Sequence, residues 1–277
     1  MSDSVKDWLP GAAAQIEALG QTPLIAAINH SVWAFSVIQL GHLLSIAVLG
    51  GAVLVLNLRL LGLALPTVAP EDVERSTRPF MLASVAGTIV TGFLMTLATT
   101  QSSLTSTAFL IKMIALLAAI GLSVSVAWSV RRPAGHARQA AKVLGVLATL
   151  VWLVAAGLFA SASNLGPGVL LVAVAGFALF AAFLPSRRRA YGIGISLILL
   201  AGFGSTFLLA PTAAGDVLTE QVSIGTVLIG LAFAALLWAS EMRHGKPLAV
   251  PPGRIGALGS TLAWVTVAAA GRWIGFS

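Results

Sequence analysis

The chain has 277 residues, of which 58% are hydrophobic, only 9% are charged and none is cysteine. Soluble domains carry roughly 25% charged residues, so this composition argues for a lipid bilayer and against a soluble enzyme. The lack of cysteine excludes disulfides, thiolate metal sites, iron–sulfur clusters and redox thiols.

Residues 1–34 are mixed. Trp8, Leu9, Ile16 and Leu19 can share one side of short helical turns, and Pro10, Gly20 and Pro23 interrupt any longer helix. This predicts a short interfacial helix, a turn at Gly20–Pro23 and then entry into the first span, with Trp8 and Trp33 in the aromatic belt. Asp3, Asp7 and Glu17 sit where a cleavable signal would be basic and then apolar, so the first span is expected to act as an uncleaved anchor.

The first apolar segment, 35–63, carries His42 and ends in L-N-L-R-L-L-G. Seven more follow: Phe80–Thr100, Thr107–Val130, Val143–Ser163, Gly168–Leu184, Ala190–Ala210, Val222–Ser240 and Ile255–Ile274. A spanning helix needs about 20 apolar residues, and Gly168–Leu184 falls short of that. Gly, Ala, Ser and Thr recur in the spans, which lets membrane helices approach closely. The predicted fold is all-α: a polytopic bundle of eight spans with the short N-terminal interfacial helix.

The charges orient it. Arg75, Arg78, Arg131, Arg132, Arg138, Lys142, Arg187, Arg188, Arg189, Arg243, Lys246 and Arg254 all fall in alternate loops, and the loops around 101–106, 164–167 and 211–221 have no Lys or Arg. The positive-inside rule then places both termini in the periplasm of a bacterial inner membrane. The net charge of +7 is thus a topology signal with some attraction to anionic lipid. Nucleic acid is not an expected partner, because no recognition module is present. Glu71, Asp72 and Glu74 read as a solvated, locally paired cytoplasmic turn.

An internal repeat is also expected. Lys142–Gly157 and Arg254–Ala269 share the spacing of a basic residue, a Thr and a Trp, and Thr91–Thr96 is echoed by Ala201–Thr206. Four spans plus four spans would divide the chain into 1–34, 35–165 and 166–277, an arrangement common in transporters.

Depth follows from ~1.5 Å per helical residue. His42 lies ~25 Å above Arg59, Met95 ~25 Å above Arg78, Lys112 and Met113 ~27–28 Å above Arg131, and Arg272 ~27 Å above Arg254. The hydrocarbon core is about 30 Å thick, so these five share one layer beneath the outer surface, with Gln39 just above. Imidazole and thioether suit Cu(I) and haem iron, making His42, Met95 and Met113 candidate metal ligands. Lys112 and Arg272 could meet propionates or another anion, and His42, Lys112 and Arg272 are the candidate cofactor-binding set. Equally open is that Lys112 and Arg272 snorkel, that His42 bonds a neighbouring helix, and that the methionines only pack. His30, ~18 Å from His42 along a continuous helix, cannot share one iron with it, and His136 and His244 read as solvated. Trp152 and Trp264 read as packing anchors. No nucleotide, hydrolase or metalloprotease motif is present, so no catalytic residue is assigned.

Together, T-P-L-I-A-A-I-N-H-S-V-W, I-Q-L-G-H-L-L-S-I-A-V-L-G-G, N-L-R-L-L-G, Thr91–Gly92, Phe109 to Lys112, and Ser260, Trp264 and Ala270–Gly271–Arg272 resemble an uncharacterised bacterial family of small polytopic membrane proteins. The match covers roughly 22–130 and 255–276. The family carries Asp where this chain has Asn57, and its short form closes after four spans. More remotely, a His in span one with a Lys in span three is similar to copper-resistance-D-like and haem-binding protoporphyrinogen-oxidase-like membrane proteins. The resemblance implies haem b or copper at His42. The alternatives are a small-solute transporter or permease built on the repeat, and an accessory subunit packed against a membrane partner or a second copy.

Overall fold

The computed structural model describes residues 5–131, 136–161, 166–209, 215–244 and 252–274. Among them the only regular elements are helices, twelve α-helices and one 3-10 turn. Six helices are long and apolar enough to cross a membrane: α4 (Ala34–Leu61), α5 (Pro70–Ala98), α7 (Thr107–Arg131), α8 (His136–Ser161), α10 (Arg188–Leu209) and α11 (Gly215–His244). This is a multi-pass membrane protein. Two predicted spans fall outside that measure. α9 (Gly166–Phe180) has 15 residues before the 3-10 turn Ala181–Phe183, and α12 (Pro252–Trp273) is long enough but more polar.

The polarity of α12 has a packing reason. It sits in the middle of the bundle, against α4, α7 and α9. Ala257, Ser260, Ala263, Thr266 and Ala270 are fully buried on it. A helix shielded from lipid need not be lipophilic; it needs small side chains that let its neighbours close in. Its Ala263, Val267 and Ala270 interdigitate with Ala108, Ile111, Ala115 and Ala119 of α7 and with Ala155 and Phe159 of α8. Trp152 and Trp264 are hydrogen-bonded there. Trp264 donates Nε1–H to Ser123 Oγ at 2.9 Å, and Trp152 donates to Thr266 Oγ1 at 3.0 Å.

α4 and α5 form a tight hairpin. Gly62 takes the left-handed conformation (φ 72) that closes α4, with Gly62 N–H on Arg59 O and Leu63 N–H on Leu58 O. Arg59 Nε donates to Val68 O across the loop, and Pro70 opens α5 with Glu71 and Asp72 in its first turn. α10 pairs with α11, while α9 lies against α11 and α12.

The N-terminal segment is three helices: α1 (Val5–Trp8), α2 (Pro10–Gly20) and α3 (Pro23–His30). Together with α6 (Thr100–Thr105) they cover the bundle end where α5 closes and α7 begins. Val5 and Ala13 pack with Leu104, Phe109 and Leu110, and Ile25 and Ile28 pack with Leu97. Trp8, Leu9 and Leu19 are exposed, so the buried side of α2 runs through Ala13 and Ile16. α3 and α4 are separate helices, broken at Ser31–Trp33, so the continuous helix assumed between His30 and His42 does not exist.

Candidate functional site

His42 is buried in the α4–α5 hairpin, with 6% of its surface accessible. Room for the ring comes from Gly92, where an added Cβ would lie 3.0 Å from His42 Cε1. Its Nδ1 is 2.9 Å from Thr91 Oγ1. The single hydroxyl proton of Thr91 is already given to Gly87 O at 2.6 Å. Thr91 therefore accepts, Nδ1–H donates, and the acceptor lone pair of the neutral ring lies on Nε2. A partner that fixes one ring nitrogen so that the other faces outward is how ligating histidines are held.

The other polar neighbours of the ring are the Thr88 backbone and the Lys112 ammonium, which is within electrostatic reach. Lys112 is half-buried and lies against Gly271, where a Cβ would come within 3.7 Å of Nζ. Among the described residues no carboxylate pairs with it. Met95 is half-buried one turn beyond Thr91, Met113 is exposed, and Arg272 and Gln39 are exposed. Among the described residues no group of three or more His, Cys, Asp or Glu could hold a metal ion. The two candidate groups within electrostatic reach of each other are one imidazole and one ammonium. His30 is exposed; the side chains of His136 and His244 lie outside the described residues.

A second polar centre sits at the basic end of the same hairpin. Glu74, expected in a solvated turn, is only 2% exposed. α5 begins at Pro70, almost three turns ahead of the apolar run from Phe80, and this folds Glu74 between α4 and α7. Arg78 Nη2 and Nε donate to its two carboxylate oxygens at 2.6 and 3.0 Å, and Arg131 Nε of α7 lies 3.5 Å from Oε1. Beside it Asn57, 1% exposed, donates Nδ2–H to Thr261 Oγ1 of α12 at 3.0 Å. Ser123 Oγ is 3.2 Å from Ser260 Oγ. A small cavity of about 10 Å³ lies among them, lined by Ala52, Asn57, Glu74, Thr77, Met81 and Ser123. Another carboxylate, Glu241 of α11, is also buried. Its Oε1 accepts from Ser186 N–H and Oγ–H at 3.3 and 2.6 Å.

The two centres are joined by one face of α5. Glu74, Thr77, Met81, Ser84, Thr88 and Thr91 follow one another at spacings of three and four, one stripe of a helix. Glu74, Ser84 and Thr88 are buried and the others half-buried, whereas Phe80, Leu82, Ile89, Val90 and Phe93 on the remaining surface are exposed. The helix is polar inside and apolar outside. The spacing was present in the sequence, but no signal there said which face of this helix is covered.

Residues 21–166, just over half of the chain, match a family of unknown function, DUF6644. That stretch holds His42, Asn57, the whole α5 stripe, Lys112 and Ser123 and stops before α12. No curated protein and no solved structure matches the chain. By its first-half bundle, which carries both polar centres, the chain belongs to the DUF6644 family of unknown function.

Proposed function

We propose that this chain is a bacterial inner-membrane transport protein of eight spans with both termini in the periplasm, and that a small polar solute or ion crosses along the seam between α4, α5, α7 and α12. The carrying observation is the buried polar face of α5, which runs from Glu74 to Thr91 with ionisable side chains at both ends. Ionisable groups inside a membrane protein are expensive and mark pathways. The orientation is supported by the clustering of 12 of the 16 Lys and Arg residues in alternate loops, and α12 counts as a span because its neighbours shield it from lipid. The purified chain in proteoliposomes should let small ions or solutes equilibrate faster than protein-free vesicles, followed by light scattering after osmotic shock. Equal rates across a panel of solutes would sink the proposal.

A second reading has its own observation. The Thr91 bond leaves His42 Nε2 as the acceptor, with the Lys112 ammonium close by. This suits haem b, with His42 as the iron ligand and Lys112, aided by exposed Arg272, for the propionates; such a group would supply one-electron chemistry. The expected result is a Soret band in the purified protein that disappears in His42→Ala. A colourless preparation would remove this reading.

A further inference from the structure

We propose that Lys112 and His42 form a binding site for a small hydroxycarboxylate, its carboxylate on the ammonium and its hydroxyl on the imidazole. The site rests on the transport reading for its role and names the substrate class of that reading.

The course of the lysine is the first argument. A lysine near a membrane surface ordinarily runs its stem past lipid and lifts its ammonium into water. Lys112 leaves α7 on the covered side instead. Ala108 and Ala115, four residues before and three after it, are both fully buried. Its stem lies along the backbone of α12, where a Cβ at Gly271 would stand 3.6 Å from Cδ and Cε and 3.7 Å from Nζ. The ammonium is thus set against α12 and within electrostatic reach of His42 on α4.

The second argument is the missing counter-charge. Among the described residues Lys112 Nζ makes no hydrogen bond and no ion pair. Glu17 is taken by Lys6 at 2.6 Å, and Glu241 receives both donors of Ser186. Glu74 is held by Arg78, ~25 Å down α5 from Thr91. A charge drawn out of water is ordinarily paired. An ammonium held here without a carboxylate is matched by one that comes from outside the chain.

The ring supplies the third argument. Thr91 fixes Nδ1–H and leaves the lone pair on Nε2. In this tautomer Nε2 only accepts, and a bare carboxylate has no proton to give it. A ligand with a hydroxyl beside its carboxylate satisfies both groups. An amine or a metal cation would be repelled by Lys112, and a neutral polyol would leave the ammonium unpaired. Thr88, whose backbone meets the same ring, carries a buried hydroxyl that also lacks a partner among the described residues. The protein leaves three polar groups of this layer unmet.

The full chain, purified in detergent, is melted against sodium lactate, sodium propionate and propane-1,2-diol at constant ionic strength. The three share one carbon skeleton, and a ligand of the folded state raises its melting temperature. Lactate should act at the lowest concentration. Propionate should need about tenfold more, the scale of one unmade hydrogen bond, and the diol should have no effect. Lys112→Met should weaken lactate and propionate alike by at least about tenfold. It should itself melt at or above wild type, because it keeps the stem and removes an unpaired charge, which separates lost binding from misfolding. Lys112→Arg should retain binding of both anions. In His42→Ala, lactate should fall to the level of propionate. The proposal is overturned if Lys112→Met binds lactate as wild type does, if the diol matches lactate, or if lactate and propionate act equally on wild type. A Soret band that lactate leaves unchanged, with no rise in melting temperature, would assign both groups to haem and overturn it too. Lactate uptake by proteoliposomes separates the two readings. If solutes cross and lactate does not bind, transport stands and the site falls. If lactate binds and no solute crosses, the site stands and transport falls.

Discussion

Glu74→Ala is expected to destabilise the folded chain by about 2 kcal/mol. Breaking a buried ion pair by removing one partner costs about 3–5 kcal/mol. The side chains of Arg78 and Arg131 are about one-third exposed, so water recovers part of the loss and the low side applies. Glu74 accepts two bonds from Arg78, has Arg131 Nε 3.5 Å from Oε1 and is itself sealed. Removing it leaves two cations facing each other across α5 and α7, beside the Asn57–Thr261 bond. Glu74→Gln keeps the shape but not the charge, and should lose about half as much. Thermal unfolding in detergent measures both. Raising the salt concentration should change the gap between wild type and Glu74→Ala only slightly, because buried charges are screened less than exposed ones. Equal melting of Glu74→Ala and wild type would show that the pair holds nothing together.

At the other end of the hairpin, Gly92→Val should displace His42. A single Cβ at residue 92 already lies 3.0 Å from His42 Cε1, and valine adds two methyl groups to that contact. Overpacking of this kind costs about 1–3 kcal/mol. The ring must leave, so the Nδ1–Thr91 bond is lost with it. The informative measurement is a double-mutant cycle. If the clash is with His42, Gly92→Val combined with His42→Ala should melt higher than Gly92→Val alone, giving a coupling of about 1–2 kcal/mol. Strict additivity would mean that residue 92 is sensitive for some other reason. Function should follow: Gly92→Val is expected to lose whatever His42→Ala loses, whether solute flux or a Soret band.

Both experiments act on a hairpin that the sequence described only in part. Its helices were legible. The apolar run 35–63 corresponds to α4 at Ala34–Leu61, and 107–130 to α7 at Thr107–Arg131, because a bilayer demands about 20 apolar residues in one helix and Gly62 or charge stops them. His42 stood out because it is the one histidine inside an apolar span. Lys112 was legible through counting from Arg131.

What did not show was the partner of each polar group. Glu74 looked solvated because it lies among Glu71, Asp72 and Arg75, and only the early start of α5 and the nearby end of α7 bury it. Asn57 read as an exception to a family motif, yet its partner, Thr261, is 204 residues away. The expected four-plus-four division of the chain gives no hint that α12 leaves α10 and α11 to pack among α4, α7 and α9.

The sequence by itself determined the membrane location, the helices and the alternation of charge between loops, because each follows from transfer of side chains between water and lipid. The tertiary structure alone decided which side of each helix is covered. Lipid is as apolar as the interior of the bundle, so hydropathy does not separate inside from outside within the membrane. The stripe from Glu74 to Thr91 becomes an interior only when α4 and α7 are set against it.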